Sequence, residues 1–106
     1  MEPDLSQLTE PWVPVGESAN AGALVSELLS EVPPGHLLSG KSVAAIARRI
    51  DRDDVLFSVG GAYAVVHLTY SPRRETEPTY PLTEMYVSWV DFISKRAVPD
   101  SEEYRL

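Results

Sequence analysis

The chain has 106 residues, 43% of them hydrophobic and 24% charged, which fits one domain of ordinary size and is too apolar for compositional disorder. Nine Lys and Arg stand against 16 Asp and Glu, a formal charge of -7 that repels phosphate backbones and disfavours general nucleic-acid binding. There is no cysteine, so disulfides, thiolate zinc sites and a cysteine nucleophile are excluded.

The first 14 residues, MEPDLSQLTEPWVP, hold no basic n-region and no apolar h-region, so no secretory signal is read there. No apolar run approaches membrane-spanning length, and the expected location is the cytoplasm. Residues 1–16 are rich in proline and acids, which reads as an extended N-terminal arm. Trp12 and Val13 give that arm an apolar anchor for the core or for a second subunit.

A single domain is expected over 17–98. In ESANAGALVSELLSEV, Ala21, Leu24, Val25, Leu28, Leu29 and Val32 recur at helical spacing and form one stripe. Ser18 suits the N-cap, Glu17 suits the positive end of the dipole, and Pro33-Pro34-Gly35 stops the helix. KSVAAIARRI fits both a helical stripe and a strand. The turn chemistry at Gly40 and at IDRDD favours the strand, with Arg48 and Arg49 on opposite faces.

DDVLFSVGGAYAVVHLTY reads as a hairpin about Gly60-Gly61, a pair suited to a two-residue turn with positive φ. A tight turn sets Val59 opposite Ala62, Phe57 opposite Ala64 and Val55 opposite Val66. One face then collects Val55, Phe57, Val59, Ala64, Val66, Leu68 and Tyr70 as a core face. The other holds Leu56, Ser58, Tyr63, Val65 and Thr69, with Asp54 directly across from His67.

Residues 71–84 form a proline-rich, charged loop whose length points to function or mobility. Met85 to Val87 suit a short strand. Trp89, Val90, Phe92, Ile93 and Val98 suit a helix begun by Ser88, with Lys95 and Arg96 at its C-terminal end. Pro99 is expected to end it, leaving 99–106 as an acidic tail. The fold expected is α+β, with N-terminal and C-terminal helices packed on one face of a three- to four-stranded antiparallel meander. The Asp54–His67 face would then lie open to solvent or a partner.

Candidate chemistry centres on His67. A carboxylate at Asp54 would lie with Cβ atoms within about 5.5 Å of it, and an Asp-oriented histidine is half of a nucleophilic triad. The nucleophile would be Ser58, Thr69 or a loop hydroxyl, yet no G-x-S-x-G elbow exists. A cross-strand ion pair explains both residues more simply, so no catalytic residue is assigned beyond the weak set His67, Asp54 and Thr69. His36 and His67 with Asp51, Asp53 and Asp54 lack the spacing of a metal site, and no metal is assigned. Gly35, Gly40, Lys41 and Ser42 match the spacing G-x-x-x-x-G-K-S of a phosphate loop, but that cradle needs a strand before it and a helix after it. Arg73 and Arg74 could bind an anion or a partner carboxylate, and Tyr80, with Tyr86, Trp89 and Trp12, could form an aromatic surface for binding, although most of these rings suit the core.

The segments GH at 35–36, DDVLF and AVVHLTY, running on to Tyr80-Pro81, resemble a group of small uncharacterised bacterial proteins with a DDVLF…AVVHLTW-like core. The resemblance covers about two thirds of the chain. It implies a strand over 42–50 and no activity, so no functional residue carries over. Tyr70 stands where that group has Trp. No motif calls for a cofactor. The expected function is a protein–protein interaction module, immunity-like or antitoxin-like, with another protein or a second copy as partner and neither nucleic acid nor membrane. The alternative is a small enzyme or ligand-binding protein using the His67/Asp54 face and the 71–84 loop.

Overall fold

The computed structural model describes residues 3–16, 19–70 and 80–106. The elements are β1 (Trp12–Pro14), α1 (Ala19–Glu31), β2 (Val43–Arg49), β3 (Asp54–Val59), β4 (Ala62–His67), β5 (Thr83–Tyr86), α2 (Trp89–Phe92), a π-helical segment (Ile93–Ala97) and α3 (Val98–Tyr104). The strands form one antiparallel sheet in the order β1-β2-β3-β4-β5. Each strand lies beside its neighbour in sequence, so no connection crosses the sheet. The class is α+β.

The hairpin follows directly from its turn. Gly60 takes φ 63, and the pairs Val59↔Ala62, Phe57↔Ala64, Val55↔Val66 and Asp54↔His67 all form. Alternation along these strands makes two separate cores. Val55, Phe57, Ala64, Val66 and Leu68 pack against Leu24 and Leu28 of α1 and Val32 just beyond it. Leu56, Tyr63 and Val65 pack on the opposite side against Trp89, Phe92 and Ala97. The helices therefore cover both faces of a five-stranded sheet, not one face of three or four strands. Both faces of the central hairpin are apolar, and each demands a cover.

Three further expectations are corrected. The arm at 1–16 is not merely extended, because Trp12–Pro14 pairs with Ala47–Arg49 as an edge strand. Trp12 is fully buried, edge-on to Phe92 with ring centroids 5.3 Å apart, so its anchor is the domain's own core. The 99–106 tail is also not free. Helical backbone runs on through Pro99 to Tyr104, burying Asp100 and Ser101. A proline ring meets the carbonyl four residues back in a regular α-helix. Here the Val98 N–H reaches five residues back to Ile93, and this π-turn widens the helix just ahead of Pro99. Lys95 and Arg96 accordingly sit within a continuous helical rod from α2 to α3, not at its end.

Ser88 does cap α2, accepting the Asp91 N–H at 3.1 Å. Ser18 and Glu17, expected to open α1, lie outside the described residues. β2 contains a bulge, since Ala45 pairs with Phe57 while Ala47 pairs with Leu56. The extra residue, Ile46, inverts the alternation beyond it. Ala45 faces α1, whereas Ala47 and Arg49 face the rod. No helix among the described residues is long and apolar enough to cross a membrane.

Asp100 accepts from Trp12 Nε1 at 2.9 Å and lies 2.8 Å from Arg96 and 3.0 Å from Arg49. Removing one partner of a buried ionic cluster leaves the others uncompensated. Asp100→Ala is expected to lower the unfolding free energy by about 3–5 kcal/mol in urea titrations. A loss under about 1 kcal/mol, the range of an exposed pair, would show the tail helix to be dispensable.

Candidate functional site

The Asp54–His67 pair forms as its register requires, with His67 Nδ1 2.8 Å from Asp54 Oδ1. Its surroundings differ from the expected open face. Asp54 is buried, and its second oxygen accepts from Arg96 of the rod at 2.8 Å. Arg96 also meets Glu84 and Asp100, each at 2.8 Å, and Arg49 continues the chain to Asp51. Burial opposes the charge of Arg96, but its hydrogen bonds to Asp100 and Tyr86 outweigh burial and raise its pKa. Asp54 is thus shared between Arg96 and His67 and is not a dedicated orienter of one imidazole.

The hydroxyls proposed beside His67 lie elsewhere. Ser58 is four residues along β3 from Asp54, about 13 Å at strand rise. Thr69 donates its hydroxyl to Glu31 of α1 at 3.0 Å, whereas Asp54 bonds to the rod on the other side of the sheet. His36, the other histidine, is buried: its Nδ1 accepts the Leu38 N–H at 3.0 Å, so Nε2 donates to the Pro81 carbonyl at 2.9 Å. No group of three His, Cys, Asp or Glu suited to a metal occurs among the described residues. Lys41 and Ser42 lead into β2 and not into a helix, so the phosphate-loop spacing lacks its essential element. Arg73 and Arg74 lie outside the described residues, and Tyr80 is exposed.

A second constellation on the α1 side was not among the sequence candidates. Glu31 is fully buried in the last turn of α1. Its carboxylate accepts the Thr69 N–H at 2.9 Å, the Thr69 hydroxyl and the Tyr70 N–H at 2.9 Å. Tyr70 takes φ 54, a left-handed conformation that costs a non-glycine residue of order 1 kcal/mol or more. Two successive amides can then converge on one carboxylate, as in other anion nests.

Glu27 lies one helical turn before Glu31. Its Oε2 is buried and has no partner among the described residues unless one carboxyl holds a proton. The hydrogen bond to Glu31, then burial and the Glu31 charge, push the Glu27 carboxyl up to about 7. Burial acts to raise Glu31, but the Glu27 proton and the Thr69 and Tyr70 donors hold it below the usual carboxylate range. The pair therefore shares one proton with a defined direction: Glu27 donates and Glu31 accepts. With its lone pairs engaged, Glu31 works as a clamp on the exit of β4 rather than as a general base.

This pair borders a cleft between α1 and the β1–β2 edge. One hollow of about 330 Å³ is lined by Asn20, Ala23, Leu24, Glu27, Arg48 and Tyr70. A second, of about 440 Å³, is lined by Val13, Pro14, Val15, Asn20, Arg48 and Ile50. They share Asn20 and Arg48 and form one groove. A signal for the clamp was present: Glu31 falls seven residues after Leu24 and three after Leu28, on the apolar stripe itself. No protein-family model matches the chain, and neither a curated protein nor a solved structure is significantly similar to it.

The proton on Glu27 sets a sign for the pH dependence of stability. Its folded pKa lies above the unfolded value of 4.5, so between 4.5 and about 7 the folded state binds more protons. Stability from this group is full below 4.5 and falls as pH rises through 7. Glu31, depressed, contributes the opposite slope below 4.5. Unfolding free energy is expected to decline from pH 5 to pH 8 in the wild type. In Glu27→Gln, which keeps a donor to Glu31, that decline flattens; an unchanged decline would assign it to other groups.

Proposed function

We propose that this protein works by binding another protein, and that the β5 end of the sheet is where it does so. The observation that supports this is a concentration of exposed apolar side chains. Leu82 is 55% exposed, Met85 44%, Val87 80% and Val90 69%, all within nine residues. Single exposed apolar residues are ordinary, but a group of this density marks interaction surfaces. Beside them a hollow of about 330 Å³ is lined by Gly61, Tyr63, Ser88, Trp89 and Val90, giving an aromatic-walled recess for an anchor residue.

The charge fits the same reading. At -7 the chain attracts a partner with a basic rim and speeds the encounter. An immunity-like or antitoxin-like module, which engages one cognate protein, is the kind of interaction protein that this size, acidity and surface suit. A cytoplasmic, bacterial setting belongs to the same proposal. The competing reading, an enzyme or ligand-binding protein on the His67–Asp54 face, has less support because Arg96 occupies the second oxygen of Asp54 and Thr69 gives its hydroxyl to Glu31.

Val87→Asp with Val90→Asp places two charges in the surface without touching either core. The double variant is expected to keep its far-UV spectrum and its Tm. It should bind the natural partner, or a second copy of itself, at least tenfold more weakly by calorimetry or sedimentation. Affinity equal to that of the wild type would remove the β5 end as the interface.

A further inference from the structure

The geometry points to a second binding site, independent of the β5 end: the α1–β2 cleft is a receptor for a small organic anion with an apolar body. Arg48 provides the recognition. It lies at the junction of the two hollows and is exposed, with no hydrogen bond or ion pair among the described residues. The other two arginines of the sheet and rod, Arg49 and Arg96, are each held by at least two carboxylates. Its position in the cleft is what sets Arg48 apart, and its planar fork matches a carboxylate or phosphate.

The nearby acids are already engaged. Glu31 accepts from Thr69, Tyr70 and Glu27, and Glu27 donates its proton to Glu31. Below neutral pH the acid that lines the hollow, Glu27, is therefore a neutral carboxyl, with the satisfied Glu31 carboxylate buried behind it. Among the described residues, Asp53 and the Tyr70 phenol are further ionisable groups about this corner. Asp53 opposes an anion, which favours a ligand whose charge sits at Arg48 and not deeper toward Tyr70. The wall on the other side of Arg48 is apolar: Val13, Pro14, Val15 and Ile50, with Ile50 46% exposed. Hollows of about 440 and 330 Å³ suit a molecule of metabolite size. The head group bridges Arg48 and Asn20, and the body lies on the valines.

Glu27 couples this site to pH. Rising pH through about 7 ionises Glu27 and adds a negative charge to the wall, so anion affinity falls as pH rises. By reciprocity a bound anion makes Glu27 harder to ionise.

The test uses the full chain with three eight-carbon probes: octanoate, octyl phosphate and octylamine. Calorimetry and amide chemical shifts at pH 6 are expected to show one of the two anions binding, with shifts centred on Asn20 and Arg48. The stronger of the two identifies the head group as carboxylate or phosphate. Arg48→Gln should weaken that anion at least tenfold while leaving the spectrum of the rest of the fold unchanged. Affinity for the wild type should fall between pH 6 and pH 8, and Glu27→Gln should flatten the fall. The inference is overturned if neither anion binds at millimolar concentration, if Arg48→Gln binds as tightly as wild type, or if octylamine is preferred.

Discussion

A run of ion pairs and hydrogen bonds, buried at Arg49, Asp54 and Asp100, ties the whole sheet to the C-terminal rod. It passes from Asp51 to Arg49, Asp100, Arg96 and Asp54, and ends at His67. Glu84 joins it through Arg96, and Trp12 through its indole N–H to Asp100. Each of the five strands supplies one member: Trp12, Arg49, Asp54, His67 and Glu84, in sheet order. The rod supplies the two residues that join them, Arg96 and Asp100. Burying charges costs several kcal/mol per ion, which only well-paired geometry offsets. The network's value is then geometric, because the rod has one position in which both arginines meet their carboxylates.

The two layers are held by different means. The rod side combines an aromatic cluster of Trp12, Tyr63, Tyr86, Trp89 and Phe92 with ionic pairing. The α1 side is aliphatic around Phe57, and its one buried charge among the described residues is Glu31. Two polar pins fix the chain on either side of residues 71–79. Glu31 holds the amides of Thr69 and Tyr70, and His36 holds the carbonyl of Pro81. These anchors come from α1 and from the turn that follows it. A mutation in that N-terminal region would therefore be felt at β4 and β5, far away in sequence.

Much of this was legible before any coordinates. The hairpin register followed from Gly60-Gly61 and the period of two, and α1 from its stripe. β2 followed from turn residues on both sides, despite weak alternation. The second face was misjudged because Leu56, Tyr63 and Val65 are themselves apolar, so that face was never a solvent face. Three residues cannot display a period, so β1 showed only its prolines and tryptophan. Pro99 signals a helix stop in α geometry alone, and a π-turn is not written in the local pattern. Glu27 and Glu31 were not among the sequence candidates. Yet Glu31 lay on the buried stripe, and like charges one turn apart on a helix ordinarily repel.

The bulge at Ile46 decides what Arg48 and Arg49 become. In an unbroken strand Arg49 would share the face of Ala45 and point at α1, and Arg48 would point at the rod. One inserted residue exchanges them. Arg49 enters the ionic layer between Asp51 and Asp100, where its fork is fully used. Arg48 stands in the α1 cleft, where Glu31 is committed to backbone donors and Glu27 to Glu31. The same irregularity therefore completes the structural network and leaves Arg48 without a carboxylate partner among the described residues. Bulges re-aim side chains at functional positions, and here the re-aimed side chain keeps hydrogen-bonding capacity unspent among the described residues.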